Sequence, residues 1–170
     1  VNHTYFITDN ETKFVVRVYC YEWRTKIEIE QELELLNLLK KESVSISYPI
    51  PDKNGNLIQE INAPEGIRYV VLFSFAKGEK LRFMSNKTCY SIGLIMAKIH
   101  NITENRKIER VKYNSEILIN KSYNHLKTFF AEDLAEMKLV KEIGSKISKT
   151  INESNIIENQ NGIVHLDIWY

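Results

Sequence analysis

Cysteine is scarce in this sequence, and long apolar runs are absent. Cys20 and Cys89 are the two cysteines, and neither belongs to a Cys-x-x-Cys pair. We therefore expect both to be reduced thiols in an intracellular protein. No apolar stretch approaches the roughly 20 residues of a membrane span, and no charged-then-apolar signal segment opens the chain. These absences predict a cytoplasmic protein without a membrane partner.

An excess of charge of one sign is also missing, and glycine is rare. Lys and Arg number 23 against 22 Asp and Glu, a net charge of +1, which by itself argues neither for nor against a nucleic-acid partner. We expect no nucleic-acid partner. The six glycines form no glycine-rich loop, and the chain has no internal repeat. With 44% hydrophobic and 26% charged residues over a length of 170, the chain is expected to bury a core. It is long enough for one domain, or for two small lobes that share a cleft.

The beginning of the chain predicts a β-hairpin. Residues 5–7 and 13–19 are β-branched and aromatic runs, and the sequence TDNE between them is rich in turn residues. Because side chains alternate along a strand, Arg17 shares a face with Val15 and Tyr19. A cation in so apolar a strand either points to water from a sheet edge or has a buried partner.

A candidate partner lies on the next element, a helix predicted over residues 26–42. Its apolar side chains recur at 100° per residue and form one stripe: Ile29, Leu35, Leu36 and Leu39. Glu32 falls in the middle of this stripe. A carboxylate that faces a core is destabilising unless a cation pairs with it. The sequence therefore predicts a buried Arg17–Glu32 pair facing a cleft.

The remaining elements divide the chain in two. Strands are predicted over residues 57–61 and 67–75, and the second is apolar nearly throughout, so it should be central in a sheet. Helices are predicted over residues 86–101, 115–131 and 132–152. The side chains predicted to face a core are Cys89, Ile92, Met96 and Ile99 in the first helix, and Met137, Val140, Ile143, Ile147 and Ile151 in the last. The change from strand-rich to helical composition predicts two lobes, residues 1–76 and 77–170.

The last nine residues, GIVHLDIWY at positions 162–170, contain a His-x-Asp sequence. The apolar residues 163–164 predict a short strand, and His165 and Asp167 follow it. A rigid strand can aim such an aspartate into a cleft as a base. Two ionisable residues two positions apart also occur by chance in surface turns, so this motif depends on support from the rest of the chain.

Taken in order, these segments resemble the aminoglycoside phosphotransferase, or phosphotransferase enzyme, family and in particular its stress response kinase A branch. FVVRVYCYEW at residues 14–23 resembles the third strand of the family and the chain that leaves it. QELELLNLL at residues 31–39 resembles the family's ion-pairing helix. GLIMAKIH at residues 93–100 resembles its Gly-x-x-x-Ala-x-x-His helix. HLDIWY at residues 165–170 resembles the start of a His-Gly-Asp catalytic loop, and NHTY at residues 2–5 resembles an Asn-x-x-Tyr that follows the phosphate loop. The resemblance covers nearly the whole chain.

The resemblance implies an α+β chain with the protein-kinase-like fold, in which an antiparallel-sheet N-terminal lobe with one helix is followed by the start of a mainly helical C-terminal lobe. It implies a kinase that uses ATP and Mg²⁺ to transfer the γ-phosphate to a hydroxyl of a small molecule. Arg17, held by Glu32, would contact the α- and β-phosphates.

The same resemblance assigns the other nucleotide contacts. Main-chain groups around Phe73, Ser74 and Phe75 would hydrogen-bond the adenine edge. Asn2, in the Asn-x-x-Tyr sequence, would belong to the nucleotide-binding set.

The resemblance also assigns the catalytic loop. Asp167 would accept or orient the proton of the attacking hydroxyl, and His165 would brace the loop. Arg17 stands where many relatives have Lys, and Leu166 stands where Gly is usual. The magnesium-binding Asn of the family would fall at about position 172, so no metal ligand is predicted in this chain. We therefore expect a fragment that lacks residues at both ends and is inactive by itself.

Three other functions stay open from the sequence. The first is a protein Ser/Thr kinase of the stress-response type. The second is a catalytically inactive kinase-like domain that binds a nucleotide or a partner. The third is a helical adaptor whose strands only pack, which would leave the inward Glu32 unpaired.

Overall fold

The computed structural model of the protein describes residues 2–79, 81–154 and 162–164. Its strands are β1 (His3–Asp9), β2 (Thr12–Val18), β3 (Ile58–Ala63) and β4 (Gly66–Ser74). Its helices are α1 (Lys26–Lys41), α2 (Asn86–Thr103), α3 (Ser122–Leu126) and α4 (Ala135–Glu153), and a π-helical segment (Glu116–Lys121) directly precedes α3. The chain is α+β, as predicted.

The four strands form one antiparallel sheet in the order β1-β2-β4-β3. The predicted hairpin is confirmed, and its turn is Asn10-Glu11, where Asn10 adopts a left-handed φ of 53° that asparagine tolerates better than most residues. β4 lies between β2 and β3, which confirms the central position expected from its apolar sequence. Arg17 lies opposite Thr4 on β1 and Val71 on β4.

Helix α1 packs against one face of this sheet. It begins with a capping box, in which the Thr25 hydroxyl accepts from the main-chain N–H of Glu28 and the Glu28 carboxylate accepts from the main-chain N–H of Thr25. This exchange satisfies donors that a helix start leaves without partners. The buried core cluster of the sheet and helix consists of Tyr19, Ile29, Leu33, Val71 and Phe73.

The rotation of α1 about its axis differs from the prediction. Leu33 is buried while Leu35 is only half-buried. Measured around the helix from Glu32, the buried Ile29 and Leu33 lie at roughly +60° and +100°, and Leu39 lies at roughly −20°. Glu32 is therefore near the margin of the buried face rather than in its middle. Both leucines belong to the apolar set, and contacts with the sheet decide which of them is covered.

The chain divides into two compact units by its internal contacts. The first includes the described residues up to Glu109, with all four strands, α1 and α2. The second begins at Arg110 and contains the π-helical segment, α3 and α4. The lobe boundary at residue 76 stays a prediction; the last strand ends at Ser74, and α2 begins at Asn86.

Helix α2 forms where it was predicted, but its apolar stripe is not packed as expected. Ser85 caps the helix by accepting from the main-chain N–H of Thr88. Cys89 and Met96 are exposed within the part of the chain that the structure describes, and the one buried residue of the helix is Thr103. The expectation that this stripe faces a core is therefore wrong for Cys89 and Met96, while Ile92 and Ile99 are half-buried.

The helix predicted over residues 115–131 is also wrong in its form. A π-helical segment precedes the short helix α3, which ends at Leu126. The side chain of Asn114 accepts from the main-chain N–H of Ile117, and the Ser122 hydroxyl donates to the carbonyl of Ile117. Side-chain contacts of this kind compete with the regular helical ladder.

Helix α4 follows the prediction closely along its length but buries less of its stripe. Met137 is buried, whereas Val140, Ile143 and Ile147 remain more than one-third exposed. Gly144 allows close contact with the π-helical segment, because a Cβ there would lie 2.8 Å from Cγ2 of Ile119. Across the described residues, no helix combines the length and apolar character needed to cross a membrane.

Candidate functional site

Strand β2 and helix α1 bring Arg17 and Glu32 together. Nη1 of Arg17 donates to Oε1 of Glu32 over 3.0 Å. The two side chains are 35% and 24% exposed, so the pair is half-buried at the margin of the core. The predicted pairing is confirmed, and the alternative in which Arg17 points only to water is wrong. The depth of burial expected for the pair is not reached, because Glu32 lies at the edge of the buried face of α1.

Two aromatic rings lie close to the guanidinium of Arg17. Cζ of Arg17 lies 4.8 Å from the ring centroid of Phe73 and 5.9 Å from that of Tyr19. A guanidinium near an aromatic face is attracted by the electron-rich ring. Arg17 is therefore oriented both by the carboxylate on α1 and by the rings of Phe73 on β4 and of Tyr19, which follows β2.

Tyr19 is almost completely buried beside this pair, with 2% of its surface exposed. Burial raises the pKa of its phenol to about 12, and the negative charge of Glu32 acts in the same direction, while Arg17 opposes it. The hydroxyl makes no hydrogen bond of good geometry with another described residue, but both Arg17 and Glu32 lie near enough to influence its pKa through hydrogen bonding.

An open apolar surface lies on the same face of the sheet as Arg17. We call it the aromatic platform, and it consists of Phe6, Val15 and Phe75. Val15 alternates with Arg17 along β2, and Phe6 is paired with Val15 across β1. The rings of Phe6 and Phe75 meet edge to face with centroids 5.9 Å apart. Phe6 is 74% exposed and Phe75 is 37% exposed, so a flat ligand can reach the platform.

A second cation borders the platform. Nζ of Lys13 lies 5.7 Å from the ring centroid of Phe75. The sequence predictions missed both Lys13 and Phe6 as site residues. The alternation along β2 already places Lys13 on the face of Val15 and Arg17, and this signal could have identified it. Phe6 could not be placed in the same way, because its partner on β2 depends on the register of the hairpin.

The main-chain groups of residues 73–75, at the end of β4 and the start of the connector, differ in whether they already have hydrogen bonds within the protein. The N–H of Ser74 donates to the carbonyl of Tyr48 over 2.9 Å, and the carbonyl of Ser74 accepts from the Ser47 hydroxyl over 2.6 Å. Phe73 lies within the strand and is buried. The main chain of Phe75 has no hydrogen bond to another residue of the described segments. Of residues 73–75, Phe75 therefore has the main-chain groups open to a ligand.

Asn2 has a structural contact. Its side-chain oxygen accepts from the main-chain N–H of Cys20 over 3.0 Å. This bond ties the start of β1 to the chain that leaves β2. Its predicted contact with a nucleotide stays a prediction.

The predicted catalytic residues His165 and Asp167 lie outside the described residues. Residues 162–164 are described and form no strand, so the strand predicted at residues 163–164 is not seen. Within residues 2–79, 81–154 and 162–164, no group of three or more His, Cys, Asp or Glu side chains could hold a metal ion. The magnesium ligands implied by the resemblance were placed beyond these residues.

Comparison with known proteins gives two partial sequence relatives. The chain is 29% identical over 150 residues to an uncharacterized protein of Synechocystis sp., covering 86% of this chain and 42% of that protein. It is 33% identical over 81 residues to an uncharacterized protein of Deinococcus radiodurans, covering 48% of this chain and 24% of that protein. The chain therefore spans less than half the length of these relatives. No protein-family model matches it.

Two solved structures share its architecture. One is the amicoumacin kinase hAmiN in complex with AMP-PNP, Ca²⁺ and Ami, with a TM-score of 0.74 and 16% identity over 98% of this chain and 50% of that one. The other is a microcompartment-associated aminopropanol kinase, with a TM-score of 0.61 and 22% identity over 71% of this chain and 39% of that one. This chain therefore has a kinase-like fold, as the resemblance of its motifs predicted.

Proposed function

We propose that the protein is a kinase that transfers the γ-phosphate of ATP to a hydroxyl of a small molecule. The observation that carries this proposal is the Arg17–Glu32 pair, which lies beside the aromatic platform on one face of the sheet. An oriented cation next to an open flat apolar surface suits a ligand that has both phosphates and a planar base.

The aromatic platform fits the adenine ring. Phe6, Val15 and Phe75 supply apolar and aromatic surface at the edge of β1, β2 and β4, and nucleobases stack on or pack against such side chains. Of residues 73–75, Phe75 also has main-chain groups that make no hydrogen bond with another described residue. We therefore assign to Phe75 the adenine-edge hydrogen bonds that were predicted for residues 73–75.

Arg17 fits the phosphates. Its contact with Glu32 uses Nη1, and a guanidinium has five N–H donors in a planar fork that matches phosphate oxygens. Same-face residues of a strand are about 7 Å apart, so Arg17 is one such step from Val15 on the platform. A nucleotide whose base lies on the platform can extend its phosphates toward Arg17. Glu32 then keeps the guanidinium oriented.

Phosphoryl transfer depends mainly on positioning and on neutralising phosphate charge, and a bound Mg²⁺ would supply part of that neutralisation. Among the described residues, no group of three or more His, Cys, Asp or Glu side chains could hold this ion. Asp167 is proposed to accept or orient the proton of the attacking hydroxyl, and His165 is proposed to brace its loop. These two roles rest on the sequence motif.

The acceptor is proposed to be a small molecule with a hydroxyl group. The two structural neighbours are described as an aminopropanol kinase and an amicoumacin kinase, and this supports small molecules over protein side chains. Amino alcohols are the first class to test.

The experiment uses the full-length protein with Mg²⁺ and γ-labelled ATP against amino alcohols, aminoglycosides, sugars and a generic protein substrate. Transfer to a member of the first three groups supports the proposal, and an Arg17→Met variant should lose most of that transfer. Transfer to protein alone would instead favour the stress-response type of kinase. ATP-dependent thermal stabilisation without transfer would favour a nucleotide-binding domain without turnover. If the protein shows neither transfer nor thermal stabilisation by ATP, both the enzyme proposal and the nucleotide-binding proposal are refuted.

A further inference from the structure

Tyr19 contains a buried polar group to which the proposed function assigns no role. The side chain is 2% exposed and belongs to the core cluster between the sheet and α1. Its hydroxyl makes no hydrogen bond of good geometry with another described residue, although the side chains of Arg17 and Glu32 lie near enough to affect its pKa through hydrogen bonding. A hydroxyl removed from water without a partner destabilises the folded state. Phenylalanine would fill the same space without that penalty, so the core alone does not account for the oxygen.

The position of Tyr19 is rigidly determined. Its main-chain N–H donates to the carbonyl of Tyr69 over 2.9 Å, and its carbonyl accepts from Nε of Arg68 over 2.9 Å. The next N–H, that of Cys20, donates to the side chain of Asn2. With the backbone bonded on both sides and the ring packed in the core, the hydroxyl stays beside the Arg17–Glu32 pair.

The hydroxyl is close enough to this pair for both charges to act on it. Tyr19 follows Arg17 by two residues, directly after the end of β2, and Cζ of Arg17 lies 5.9 Å from its ring. Glu32 raises the pKa of the phenol and Arg17 lowers it. A protonated phenol can donate to a carboxylate, so Glu32 is the acceptor that its surroundings offer.

We propose that Tyr19 is a positioning residue whose hydroxyl donates to Glu32 when Arg17 turns its donors toward the phosphates of a bound nucleotide. The ion pair satisfies Glu32 in the structure described. When the guanidinium is shared with a phosphate, part of that interaction is withdrawn, and the fixed phenol replaces it. Glu32 then remains oriented and continues to hold Arg17 in place. This inference rests on the proposed nucleotide function.

The test measures the affinity of the full-length protein for AMP-PNP with Mg²⁺ after Tyr19→Phe. We expect Kd to rise about tenfold, the size expected for losing one hydrogen bond to a charged group. Tyr69→Phe is the matched control, because Tyr69 packs against the same cluster from β4, and its Kd should not change. Thermal unfolding without nucleotide establishes that both variants fold.

A double-mutant cycle with Glu32→Leu, which removes the acceptor, tests whether Tyr19 acts through Glu32. Tyr19→Phe should then have no further effect on Kd. An undiminished effect in that background, or an unchanged Kd in the single variant, would overturn the inference while leaving the proposed function intact. Failure of the wild-type protein to bind AMP-PNP would overturn both.

Discussion

Arg17 and Glu32 are placed where an ion pair contributes little to folding. Both side chains are partly in water, at 35% and 24% exposure, and water screens the attraction between them while side-chain ordering opposes it. The pair is therefore better explained by the orientation that it imposes on the guanidinium above Phe73 than by its effect on stability. Folding and nucleotide binding should respond differently to its removal.

The substitution Glu32→Gln should separate these two effects. We expect the free energy of unfolding to fall by less than about 1 kcal/mol, because the pair is partly solvated. The affinity for nucleotide should fall about tenfold, because Arg17 loses its charged partner. Urea unfolding and calorimetric binding of AMP-PNP measure the two quantities.

Glu60→Gln is the control for this substitution. It removes the same charge from another cation–carboxylate contact, the exposed Lys26–Glu60 pair at 2.9 Å. Nucleotide affinity should be unaffected by it. Equal losses of affinity in the two variants would mean that net charge, and not the orientation of Arg17, controls binding.

Tyr19 predicts a loss of stability at alkaline pH. Its folded-state pKa is raised from 10.0 to about 12, chiefly by burial. Between these values the unfolded chain releases the proton while the folded chain keeps it, so stability falls as pH rises, by about 1.4 kcal/mol per unit for one proton. Below pH 10 this contribution is fully present.

Tyr19→Phe should remove this slope. Urea unfolding from about pH 8 to pH 11 should show wild type losing stability relative to the variant above about pH 10. Since the other tyrosines are common to both proteins, their contributions cancel in the difference. Parallel curves across the whole range would contradict the assignment.

At the scale of elements, helix α1 determines the position of Glu32 in the site. Its start is determined by the Thr25–Glu28 capping box, and its rotation is determined by Ile29 and Leu33 against the sheet. Glu32 reaches Arg17 only because α1 has this start and this rotation. A change at the start of the helix therefore tests how far the position of Glu32 depends on local capping.

We expect Thr25→Ala to lower the free energy of unfolding by about 1 kcal/mol, because the main-chain N–H of Glu28 loses its acceptor. Thr25→Ser keeps an oxygen at that position and should retain most of the stability. Chemical denaturation of both variants measures the difference. If Ala and Ser behave alike, the capping box does not stabilise α1.

For the whole molecule, the described residues include the proposed nucleotide surface but not the proposed catalytic residues. The Arg17–Glu32 pair and the aromatic platform belong to the first compact unit. The chain spans 42% of the Synechocystis relative and 50% of the amicoumacin kinase chain. Catalysis is therefore a property to measure in the full-length protein.

In the full-length protein, Asp167→Asn should lower kcat at least about 100-fold, the usual contribution of a catalytic base. The Kd for AMP-PNP should change less than about threefold, because the proposed role is in proton transfer and not in binding the nucleotide. Asp133→Asn, an exposed position in the second unit, is the matched control and should leave both quantities unchanged. A variant at Asp167 with normal kcat would remove the residue from the mechanism.

Local pattern was sufficient for the four strands, for α1, α2 and α4, and for one contact of the site, but not for the segment around α3. Alternating apolar residues predicted β2, the 100° stripe predicted α1, and the apolar sequence of β4 predicted its central position. The Arg17–Glu32 pair was also predictable, because each charge stood on an otherwise apolar surface and needed a partner. These are properties of residues near one another in the chain.

Tertiary structure alone decided the rest. Whether Leu33 or Leu35 is buried depends on how α1 is rotated against the sheet, and this placed Glu32 at the margin of the core. The contact of Phe6 with Phe75 joins residues far apart in sequence and depends on the pairing of β1, β2 and β4. The hydroxyl of Tyr19 is likewise buried only once the sheet and helix enclose it. Periodicity determines which faces are apolar, but register and rotation depend on long-range packing, which no local pattern encodes.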